Sequence, residues 1–296
     1  MGSKTIRKKQ IIITNILAIF VASTLAILSK VMLPSAVNVE DFNSIFVKVL
    51  GFQIVASLYF IMIYTHSAVV TQLFGKNAKL SNIQIGMRFG ICFGLIFLLG
   101  MQEVVVSASP FSKWGLGFVR YQFFMGIGEA VVAFALCTII SMLTIENKKS
   151  ECLREDTRYN RVLTVALIAL TFTAERVIAY KTGIISSDIE TFPVPSYGWT
   201  ILFGIILGCC YEILYPIFSE DKNPVSQSFK LVVAAIGLSW IIFNSFIGWI
   251  LDGAMAEVLI RSGLDVTIFF ITALGIRKHA IKNINIKRGC HEGNNP

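Results

Sequence analysis

A chain of 296 residues in which 55% are hydrophobic and only 15% charged, with a mean hydropathy of +0.70, carries too little polar surface to clothe one or two soluble domains. The formal net charge of +8 invites a nucleic-acid reading, but the basic residues sit in short clusters between apolar runs instead of along one soluble face. No nucleic-acid partner is therefore expected, and the lipid bilayer is.

A bilayer core about 30 Å thick takes about 20 apolar residues as a helix, because backbone groups left unbonded in lipid cost several kcal/mol each. Eight stretches meet that demand. The first, Ile11 to Met32, follows Lys4, Arg7, Lys8 and Lys9 as a signal peptide's apolar run would. It is longer than an ordinary h-region, and no small residues are placed for cleavage near Leu33-Pro34-Ser35-Ala36, so an uncleaved span is expected. The second, Ser44 to Leu73, is long enough to tilt or to begin as a surface segment. Then come Ile83 to Ser107, Tyr121 to Ile145, Val162 to Lys181, Tyr197 to Phe218, Ser228 to Leu251 and Val258 to Ile276, the last burdened with Arg261 and Asp265. The reading is all-α: one polytopic integral membrane domain over residues 1–296, closing in a basic tail at 277–296.

Orientation follows from the basic residues. One side collects Lys4 to Lys9, Lys76, Lys79 and Arg88, the run from Lys148 and Lys149 through Arg154 and Arg158 to Arg161, Lys222 and Lys230, and the tail from Arg277 to Arg288. The other receives only Lys30, Lys48, Lys113, Arg120, Lys181 and Arg261. Both termini are thus expected in the cytoplasm and the spans in the plasma membrane. Cys92, Cys137, Cys209 and Cys210 lie in apolar runs and Cys152 and Cys290 in basic segments, so no disulfide framework is implied. Adjacent Cys209 and Cys210 point about 100° apart on a helix and read as small buried residues.

Many transporters are built from inverted repeats. A shift of 109 lays His66 on Glu175, Glu103 on Glu212, Ile127-Gly128 on Ile236-Gly237 and Phe134 on Phe243. A three-helix repeat, 44–145 and 162–251, is the corresponding expectation.

Ionisable groups cost about 2.5–3.5 kcal/mol at mid-bilayer even on lenient scales, so they normally face other helices or a wet cavity. Glu103, Glu129, Glu175 and Arg176 fall in the outer half and His66 and Glu212 toward the inner ends, which predicts one polar cluster per leaflet and marks these six as candidate solute- or ion-binding residues. The competing structural reading gives Glu175 to Arg176 or Lys181, lets Glu103 reach the headgroups and makes His66 a satisfied packing residue. Helical phase places Thr164, Thr171 and Glu175 on one face, Gly237, Asn244 and Gly248 on another, and Arg261, Asp265 and Thr272 on a third. Arg261 and Asp265, four apart, are expected to pair with each other. Gly86, Gly90 and Gly94, and Gly204 and Gly208 with Glu212, form four-residue stripes that predict close helix contacts.

No HExxH, GxSxG, GxxxxGK[ST] or paired Asp-rich motif occurs, so no metal, cofactor or catalytic residue is assigned. Three functions remain, in order: a secondary transporter or permease of a small solute or ion, a non-transporting subunit or assembly factor with a membrane-protein partner or a second copy of itself, and an intramembrane enzyme acting on a lipid-linked substrate.

Overall fold

The computed structural model describes residues 2–33, 37, 39–107, 115–148 and 161–292, and their side chains other than those of 2–8, 39 and 281–292. All regular structure among the described residues is helical. Among the described residues eight helices are long and apolar enough to cross a membrane, as a multi-pass membrane protein requires. Lys113, Lys149, Cys152, Arg154 and Arg158 lie outside the described residues, as do Pro34-Ser35-Ala36, and the side chains of Lys4, Arg7, Lys8, Lys282, Lys287, Arg288, Cys290 and His291 are likewise outside them.

Helix α1 (Gly2–Val31) leads into a single 3-10 turn, Val39–Asp41. The second span starts with a short separate helix, α2 (Ile45–Leu50), whose first turn is capped by the Ser44 side chain accepting from the Val47 amide. Gly51, at φ +81, then turns the chain in a conformation that a Cβ would strain, and α3 (Phe52–Gly75) begins. Helix α4 (Asn82–Gly100) opens on a capping box between Ser81 and Gln84 and tightens into a 3-10 stretch, Met101–Val105. Helices α5 (Gly115–Thr144), α6 (Arg161–Lys181) and α7 (Pro193–Phe218) follow, the last with a proline in its first turn and Pro216 near its end. The seventh span is composite: α8 (Pro224–Ser228), capped by Asn223, passes through a π-helical stretch, Phe229–Gly237, into α9 (Leu238–Ile250). Helix α10 (Met255–Glu292) is 38 residues long and carries the eighth span without a break into the tail.

Lipid tails are as apolar as leucine, so helices here gain from close backbone approach instead of from burial. The glycine stripes supply it. Cβ atoms on Gly86 and Gly90 would lie 2.6 Å from the Thr138 Cα and 2.8 Å from the Phe134 Cα of α5. Those on Gly204 and Gly208 would meet Ala169 O at 3.0 Å and Val165 Cα at 2.8 Å on α6. This packing does not confirm the three-helix repeat. Within 44–145 the intimate pair is α4 with α5, the second and third spans. Within 162–251 it is α6 with α7, the first and second, while α7 touches the composite seventh span only lightly.

Helix ends fall into two layers. Ser141 donates to Asn82 O and Lys148 to Lys76 O, joining the end of α5 to the α3–α4 turn. In the other layer Ser196 donates to Val105 O, the Asp188 amide to Val106 O and the Ser44 amide to Ile250 O, gathering the ends of α4, α6 and α9 with the starts of α2 and α7.

Candidate functional site

Arg176 of α6 is the largest fully buried side chain, at 0% accessibility. Its guanidinium fork lies five residues before the end of α6, among α4, α9 and α10. Nε and Nη2 donate to the two oxygens of Asp265 on α10 at 2.6 and 2.5 Å, a bidentate pair. Nη2 also donates to Glu103 Oε1 at 2.9 Å, and Nη1 to the Tyr180 hydroxyl at 3.2 Å. The Trp240 indole of α9 donates to Asp265 Oδ2 at 2.8 Å. Beyond Glu103 stands Arg261, whose Nη1 is 3.7 Å from Glu103 Oε1 and donates to the Ser107 hydroxyl at 3.0 Å. Its Nη2 donates to Glu257 at 2.8 Å. Glu103, Arg176, Arg261 and Asp265 thus form one buried network with two charges of each sign.

The expected Arg261–Asp265 pair does not form. Side chains on a helix lean toward its N-terminus, so Arg261 reaches back one turn to Glu257, and Asp265 is taken by the better-matched fork of Arg176. Glu103 correspondingly stays in the core, 2% accessible, instead of reaching the headgroups.

Glu175, adjacent in sequence, points beside this network. Both its oxygens are shielded and accept no hydrogen bond among the described residues, and its charged neighbours are Asp265 and Arg176. The polar faces read from helical phase on α6 and α10 do meet, for Thr272 donates to Thr171 at 3.0 Å.

Glu129 of α5 does not join this network. It pairs with Lys30 of α1 and lies within hydrogen-bonding reach of the Tyr59 hydroxyl of α3, while the Lys30 ammonium sits 4.6 Å from the Phe60 ring centroid. An aromatic row separates the two charged sites: Tyr59 contacts Phe243 at 6.4 Å, Phe243 stacks on Trp240 at 5.6 Å, and Trp240 meets Phe203 at 4.6 Å. His66 and Glu212 have separate surroundings. His66 Nε2 lies 3.0 Å from the Ala234 carbonyl in the π-helical stretch, with Phe93 edge-on. Glu212 faces Thr164 and Arg161 of α6.

Sequence reasoning missed Asp265 as the partner of Arg176, Arg261 as a neighbour of Glu103, Trp240 as a donor to Asp265, and Lys30 as the partner of Glu129. The signal for the first two was their presence in a span at all, which the local pairing rule absorbed too readily. Among the described residues no group of three or more His, Cys, Asp or Glu side chains is placed to hold a metal ion, and Cys92, Cys137, Cys209 and Cys210 are free thiols. Compared with known proteins, the chain matches no family model, no curated protein and no solved structure.

Proposed function

We propose that the protein is a secondary transporter or permease of a small charged solute, with the Glu103–Arg176–Asp265–Arg261 network as its gate in the leaflet opposite the termini. The observation that carries this reading is the network itself: four ionisable side chains, none more than 3% accessible, drawn from α6, α10 and the extension of α4. Buried ion pairs contribute little to stability beyond what apolar side chains of similar volume provide. Their distinctive property is to hold two arrangements, paired and dry or separated and hydrated. Glu175 lies within hydrogen-bonding reach of Asp265, and a proton or small cation shared by the two carboxyls would complete the contact. The π-helical stretch supports the same reading, since wide turns of this kind recur at functional sites and deform more readily than regular helix. The asymmetry of basic residues supports cytoplasmic termini, and the reading takes the membrane to be the plasma membrane.

The test is solute-driven charge movement in proteoliposomes under an imposed pH gradient, across amino acids, carboxylates, amines and inorganic ions. One class is expected to give a current that Glu175→Gln uncouples from pH with the unfolding midpoint unchanged. A second reading, a non-transporting membrane subunit, draws on the continuation of α10 as helix past Ala280 to Glu292, a handle for a partner. No current from any class, together with a stoichiometric membrane partner captured by cross-linking, would replace the first reading with the second.

A further inference from the structure

An open groove of about 830 Å³ runs along the outer side of the α6–α7 pair, between Ala169 on one wall and Ile201, Ile205 and Cys209 on the other. Its polar end is formed by Arg161 and Glu212; Thr173 lies toward the other end. Arg161 to Thr173 is 12 residues of helix, about 18 Å, close to the depth of one leaflet. We infer that this groove binds one anionic phospholipid, its phosphate at Arg161 and Arg88 and one acyl chain laid along the apolar walls.

Two independent observations specify the headgroup. Arg88 of α4 donates to the carbonyl of Ile213, a groove residue, at 2.5 Å, and stands close enough to Arg161 for the two guanidiniums to repel. Glu212 stands beside them, so two guanidiniums and one carboxyl face the same end of the groove, a surplus of basic groups suited to a phosphodiester. The second observation is Glu212 Oε1, which is shielded and accepts no hydrogen bond among the described residues. A headgroup hydroxyl, such as the glycerol of phosphatidylglycerol, supplies the missing donor, and the choline of phosphatidylcholine has none. The glycine stripe of α7 sets the depth of the groove by drawing α7 onto α6 behind it.

The experiment titrates the full chain in detergent with phosphatidylglycerol or phosphatidylcholine and reads bound lipid by native mass spectrometry. Phosphatidylglycerol is expected to bind a single site at least about fivefold more tightly, and Arg161→Gln to abolish that preference. Arg161→Lys should retain most of it, and Ile205→Trp, which fills the groove from an accessible position, should weaken both lipids. Arg161 is surface-accessible at the first residue of its helix, so the lipid-free unfolding midpoint should be unchanged by its replacement. Equal binding of the two lipids, or a preference untouched by Arg161→Gln and Ile205→Trp, overturns the assignment.

Discussion

Arg176 holds two carboxylates and a phenol from a position with no solvent access, so its removal alone strands two buried anions. Arg176→Met should therefore lower stability by about 3–5 kcal/mol, read as denaturant unfolding in detergent, whereas Glu103→Leu/Arg176→Met/Asp265→Leu together should recover most of the loss. A single replacement without effect would show that the pairs do not exist. The same logic applies to Glu129. Because Lys30 and Tyr59 hold it, Glu129→Gln should weaken the corner between α1, α3 and α5, read as a lowered unfolding midpoint in detergent, whereas Glu175→Gln should leave that midpoint unchanged. Outside the spans, hydrogen bonds from Lys230 and then Ser226 hold the Asp221 carboxyl below its usual range. A depressed acid stabilises the folded form above the unfolded aspartate value of about 4, and that contribution disappears as pH falls through the lower folded value. The stability difference between the native chain and Asp221→Asn should accordingly be present at neutral pH and vanish toward strong acid, small throughout because solvent reaches the pair through its half-exposed lysine.

At the scale of elements, tight helix pairs depend on missing side chains. Gly90→Ala would put a methyl group 2.8 Å from the Phe134 Cα, backbone that cannot swing aside, and should cost about 1–3 kcal/mol. Gly275→Ala meets nothing within 4 Å and should gain about 0.5–1 kcal/mol from helix propensity; thermal melts of the two variants are expected to move in opposite directions. These contacts were legible in the sequence because a four-residue glycine period is a helix property, written in the chain itself. The break at Gly51 was half legible, since length suggested a surface start without locating it. The π-helical stretch was not legible at all. Leu231, Val232, Ala235 and Ile236 read as ordinary buried residues, and Gly237, where an added Cβ would come within 2.7 Å of Val266 on α10, was read only as part of a helical face.

For the whole molecule, span number was readable because the bilayer imposes one length on every crossing. Which acid meets which base was not, since that depends on which helices adjoin: Asp265 lies 89 residues from Arg176 and Glu103 lies 73 from it. The prediction at this scale is topological. A fluorescent protein fused after residue 296 should fold and glow in the cytoplasm, and a periplasm-type phosphatase fused there should be inactive; the reverse result inverts the orientation and moves the Arg176 network to the inner leaflet.

Helix α10 adds a mechanical constraint. From Met255 to Glu292 it rises about 56 Å without a joint, with Arg261 and Asp265 near one end and the basic tail at the other. One unbroken backbone thus joins the tail to the carboxylate that Arg176 grips, so a load on the tail would be felt there.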